Sequence, residues 1–88
     1  MDALPQPLMS FSTLDEAESA LDWIGVDFIE RDGAFDGELV PDDRELLDAV
    51  VAEPETPSPV RDLAQAMVGL LDVADPGAPV AWSVAFPV

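Results

Sequence analysis

The stretch VDFIERDGAFDGELV, residues 26–40, decides the fold. Asp32-Gly33 stands between two partly apolar runs. A two-residue type I′ turn needs positive φ at both central positions, and Asp-Gly adopts that at low cost. The turn predicts a hairpin of strands 26–31 and 34–40, with Arg31 opposite Ala34, Glu30 opposite Phe35 and Ile29 opposite Asp36. Continued outward, Phe28 faces Gly37, Asp27 faces Glu38 and Val26 faces Leu39. Side chains alternate across a strand, so Val26, Phe28, Phe35 and Leu39 fall on one face, the expected core, and Asp27, Asp36 and Glu38 on the other.

Before the hairpin, LDEAESALDWI carries Leu14, Ala17, Leu21 and Ile24 at helical spacing. Thr13 followed by Glu16 fits a capping box, and Gly25 fits the residue after a helix end, so a helix is expected over 14–24. A short strand is expected at 8–11, after a flexible lead-in over 1–7. Beyond the hairpin, Leu46/Val50 and Leu47/Val51 are two i,i+4 pairs, predicting a helix over 42–52. Three prolines in EPETPSP, residues 53–59, break it. Ser58-Pro59 reads as an N-cap with proline at the first helical position, opening a helix over 60–72. Asp75-Pro76-Gly77 is a turn, and Val80, Trp82, Val84 and Phe86 alternate with small residues in a closing strand. The expected order is β-α-β-β-α-α-β in one 88-residue α+β domain, an antiparallel sheet with helices on one face. A three-stranded sheet with helices, lacking the first strand, is the main structural alternative; the full order maps onto a ferredoxin-like variant in which two helices replace the second one. That plan puts the closing strand at a sheet edge, where its uncharged 80–86 stretch invites a homodimer through the C-terminal half.

Composition narrows the chemistry. The chain has 19 Asp+Glu, three Arg, and no Lys, His, Cys or Tyr, a net charge of −16. This excludes a disulfide scaffold, thiolate or imidazole metal sites, nucleophile–His pairs, Schiff-base lysines and a basic nucleic-acid-binding face. The available hydroxyls have no His or Lys to activate them, so a non-enzyme without cofactor is expected. In DGAFDGELVPDD, residues 32–43, Asp32, Asp36, Gly37 and Leu39 match EF-hand positions, but Ala34 and Asp43 do not, and the segment reads as a hairpin. Trp23, Trp82, Phe28, Phe35 and Phe86 are assigned to packing. The start lacks a positive segment and is broken by Pro5 and Pro7; no signal peptide, no membrane association and a cytoplasmic setting are expected.

The charge is polarised: residues 15–55 hold 15 of the 19 acids and two of the three arginines. Asp15, Glu18 and Asp22 form one stripe on the first helix, Asp27, Asp36 and Glu38 one face of the hairpin, and Asp42, Glu45 and Asp48 a stripe on the second helix. Like charges at these spacings cost a few tenths of a kcal/mol per pair, and only Arg44 is spaced to relieve Asp48. Three readings are open. The nine acids occupy a basic, nucleic-acid-binding surface of a partner protein as phosphates would. Alternatively they meet a basic protein, as in an immunity protein, antitoxin or adaptor. Or they reflect an acid-rich, halophilic proteome and carry no site. In composition and size the chain is similar to the broad class of DNA-mimic inhibitors, phage anti-restriction and anti-CRISPR proteins among them. The likeness is one of charge and length.

Overall fold

The computed structural model describes residues 7–74 and 77–87. The lead-in expected at 1–7 falls outside these residues except for Pro7, and of the 75–77 turn only Gly77 lies within them. The elements are α1 (Leu14–Ile24), β1 (Ile29–Arg31), β2 (Ala34–Leu39), α2 (Asp43–Ala52), α3 (Ser58–Val73) and β3 (Val80–Ala85). The three strands form one antiparallel sheet in the order β1-β2-β3.

Local chemistry sets these elements as the sequence implies. Asp32 and Gly33 both have positive φ, 31° and 85°, the type I′ pair, and the register is Arg31 to Ala34, Glu30 to Phe35 and Ile29 to Asp36. The ladder stops there, so Val26, Asp27 and Phe28 are not a strand. They lead from the end of α1 to the sheet, with Val26 buried and Phe28 edge-on to Phe35. Thr13 accepts the Glu16 amide at 3.1 Å, and Gly25, at φ 91°, closes α1 by donating to the Leu21 carbonyl. Pro59 lies in the first turn of α3 as expected, but Ser58 is already helical and makes no capping bond.

Val84 lies opposite Phe35, Trp82 opposite Gly37 and Val80 opposite Leu39, so these residues share the core face of the sheet. Phe35, Leu39, Trp82 and Val84 join Ala17, Leu21 and Ile24 of α1, Leu47 and Val50 of α2, and Leu63, Ala64 and Met67 of α3 in one buried cluster. Asp36, Glu38, Ala81 and Ser83 lie on the opposite sheet face. The overall dimensions, 35 × 31 × 16 Å, fit two layers.

The strand expected at 8–11 is reduced to a single bridge, which leaves a three-stranded sheet, and the strand order also departs from the ferredoxin-like plan. That plan places the first strand between the hairpin and the closing strand. Here β3 pairs directly with β2, and 8–11 lies along the other side of β3, in a parallel bridge between Ser10 and Ala85. Amides of Leu8 and Phe11 donate to the Ser83 and Ala85 carbonyls at 2.8 and 2.9 Å, and the Ala85 amide donates to Met9 at 3.1 Å. As expected, β3 is an edge strand of the three-stranded sheet, but its outer edge is hydrogen-bonded to 8–11 at Ser83 and Ala85, which weakens the strand-pairing argument for a dimer. The opposite edge of the sheet is β1, three residues long.

Candidate functional site

The nine acids fall into three groups. Asp15, Glu18 and Asp22 are all exposed along α1. Asp42, Glu45 and Asp48 are exposed at the start and along the outside of α2. Asp27, Asp36 and Glu38 line a concavity of about 570 Å³ with Ile29, Arg31 and Ala81. The register puts Asp36, Glu38, Ala81, Ile29 and Arg31 on the sheet face turned away from the core, so this trio is set apart from the two helical stripes. Asp36 and Glu38 thus lie on the sheet face opposite the core that the helices pack against, with Asp27 at the same concavity.

Helix electrostatics separate acids with a local reason from those without one. Asp15 and Glu16 lie in the first turn of α1, and Asp43 and Glu45 in that of α2, where unpaired amides favour negative charge. Asp43 also accepts the Val40 amide at 2.9 Å. Glu18 and Asp22 gain no such benefit, and Asp22 sits in a last turn that contains no basic residue. Asp48 is likewise in the C-terminal half of α2, which has no base in its last turn.

The three arginines are committed elsewhere. Arg31 Nε meets Asp36 Oδ2 at 3.1 Å, a diagonal pair across the hairpin. Arg44 pairs with Asp72 of α3, which corrects the expectation that it relieves Asp48. An i,i+4 spacing offers that contact, but α2 packs on α3 and brings a carboxylate from the facing helix. Arg61 donates to the Val51 and Glu53 carbonyls at 3.3 and 3.0 Å, satisfying the end of α2. Buried Thr56 does the same, its hydroxyl donating to Val50 at 2.8 Å. Two arginines thus fasten the α2–α3 corner and one neutralises Asp36. Among the described residues no cation lies within ion-pair distance of Asp15, Glu18 or Asp22.

Two further features bear on a site. Trp82 is in the core as expected, only 1% exposed, whereas Trp23 is 49% exposed, so of the core or interface packing expected for it the core is excluded. Its position signals this: it is out of phase with Leu14, Ala17, Leu21 and Ile24. Trp23 borders a groove with Phe11, Asp15, Ser19, Pro57 and Val60. The EF-hand match is resolved as a turn followed by a strand, with Asp32 in the first and Asp36 in the second. Among the described residues, no three carboxylates are grouped to hold a metal ion. No helix among them is long and apolar enough to cross a membrane. Comparison with protein-family models, with curated proteins and with solved structures finds no match.

Proposed function

We propose that this protein is a non-enzymatic binding protein that occupies a basic, nucleic-acid-binding surface of a partner protein, presenting carboxylates where phosphates would lie. The observation that carries the reading is the unrelieved stripe on α1. Asp15, Glu18 and Asp22 are exposed without a cationic neighbour among the described residues, while all three arginines serve other contacts. Stability alone gives no reason for Glu18 and Asp22. A cationic groove supplies one, because opposite fields steer encounter and suppress wrong partners. The hairpin and α2 trios give the molecule further anionic surfaces, with Asp36 already half-neutralised by Arg31. The action is stoichiometric charge competition in a cytoplasmic setting, with no cofactor and no turnover.

The test is capture from the cells that make the protein, at about 0.05 M and about 0.3 M KCl, bracketing a Debye length near 10 Å. The expected catch is a nucleic-acid-binding protein, retained at the lower salt and displaced by excess duplex. Neutralising Asp15, Glu18 and Asp22 together should weaken capture more than neutralising the scattered Asp32, Glu53 and Asp62. A captured protein indifferent to nucleic acid would replace this reading with the adaptor or immunity one. Equal effects of the clustered and scattered sets would remove the geometric basis of the stripe.

A further inference from the structure

The groove between α1 and the start of α3 has what a binding anchor needs and the acidic stripes lack, an exposed aromatic platform beside carboxylates that have no cationic partner among the described residues. Its floor and walls are Phe11, Ala20, Trp23, Pro57, Pro59 and Val60, and its volume is about 460 Å³, within the range of side-chain and small-ligand pockets. Asp15, Glu16 and Ser19 supply its polar rim. Asp15, Ser19 and Trp23 follow one another at i, i+4 and i+8, so carboxylate, hydroxyl and indole run along a single line of α1. Asp15 also begins the Glu18–Asp22 stripe, which makes the groove continuous with exposed carboxylates that have no ion-pair partner among the described residues.

From this arrangement we infer that the groove is the anchoring site for an extended, arginine-bearing segment of the partner protein. The inference deepens the proposed function and rests on it, since it names the part of a basic partner that makes the specific contact. Charge complementarity selects the occupant: the rim is anionic and has no cation within ion-pair distance among the described residues. The apolar floor selects arginine over lysine. A guanidinium stacks on an indole face, is more weakly hydrated than an ammonium, and pairs in-plane with a carboxylate. Its methylene stem lies along apolar surface such as Pro57, Pro59 and Val60. Two prolines on one wall keep the groove open at small entropic cost, because their backbone is already restricted. Trp23 is then the residue on which binding concentrates, as aromatic anchors at interfaces do.

The probe is a capped Arg-Val-Arg-Val-Arg amide and its lysine counterpart, titrated into the 15N-labelled protein at about 20 mM salt and followed through the two indole N–H signals and the backbone amides. Trp23→Phe assigns the indoles. The expected result is movement of the Trp23 indole and of amides at 15–23 and 57–60, with the Trp82 indole still, and arginine peptide bound more tightly than lysine peptide. Trp23→Ala, at a half-exposed position outside the buried core cluster, should weaken the arginine peptide about tenfold, equivalent to roughly 1.4 kcal/mol. If the peptide binds but shifts only α2 or the hairpin, or if Trp23→Ala binds it equally well, the groove is overturned while the charge reading stands. Equal binding of the two peptides overturns the arginine assignment. No binding of either peptide at this salt overturns the groove and the charge reading together.

Discussion

Replacing Gly37 by alanine tests the packing that joins the hairpin to the core. A Cβ at this position would lie 2.6 and 2.8 Å from two carbons of the Trp82 indole and 2.7 Å from the Asp27 carbonyl oxygen. Carbon–carbon contacts are most favourable at about 3.5–4.0 Å, so the new methyl sits about 1 Å too close to the ring. The indole has little room to retreat, being 1% exposed, and the oxygen belongs to backbone that links α1 to β1. Overpacking of this kind costs about 1–3 kcal/mol, and clashes against both a buried ring and backbone place it near 3. At about 4–8 °C per kcal/mol for a domain of this size, thermal unfolding should occur roughly 12–24 °C lower. That loss is a large share of the roughly 4–13 kcal/mol expected for 88 residues. Circular dichroism gives the melting temperature, and fluorescence in a Trp23→Phe background reports the Trp82 environment. Gly69→Ala is the internal control: nothing lies within 4 Å of its Cβ position in the middle of α3, so it should stabilise by about 0.5–1 kcal/mol. A Gly37→Ala protein melting within about 2 °C of the wild type would refute the placement of Trp82 against the hairpin.

Three other outcomes are expected. Glu18→Gln with Asp22→Asn should raise stability by about 0.5–1 kcal/mol, since it removes an i,i+4 repulsion and a negative charge from a helix C-terminus; urea unfolding that shows a loss instead would mean these acids have stabilising partners. Thr56→Val removes the buried hydroxyl bond to Val50 and should cost about 1 kcal/mol, read as a fall of about 4–8 °C in melting temperature. The chain should be folded at about 0.1 M KCl, with its urea midpoint rising as salt is added. A requirement for molar salt would assign the acids to solvation and support the halophilic reading.

Much of the fold is legible because its determinants are short-range. Asp32-Gly33 dictates the turn and thereby the register out to Ile29, while Thr13 and Gly25 delimit α1 and proline marks the start of α3. What the sequence leaves open is decided between elements distant along the chain. Nothing local shows that β3 pairs directly with β2 or that 8–11 lies along its outer side; that follows from which apolar faces meet in three dimensions. The choice of Arg44 between Asp48 and Asp72 likewise depends on how α2 lies on α3. Of the candidate site, the three acidic groups are readable from spacing alone. The placement of Asp36 and Glu38 on the sheet face away from the helices is not, because it depends on which face the helices cover. The groove beside Trp23 needs the approach of Pro57 and Pro59, more than 30 residues away along the chain, to exist at all.

The seating of 8–11 against β3 also has a temporal consequence. Leu8 donates to a carbonyl at Ser83, a partner synthesised 75 residues later. The hairpin and α1 have nearby partners and can organise as they emerge from the ribosome, but the sheet cannot be completed until residues 80–86 have followed. Until then the apolar sides of Phe11, Phe35 and Leu39 lack the strand that joins them in the core. A nascent chain of this composition repels its own kind through its carboxylates, so the same charge that burdens the folded molecule guards it against self-association while that strand is still missing.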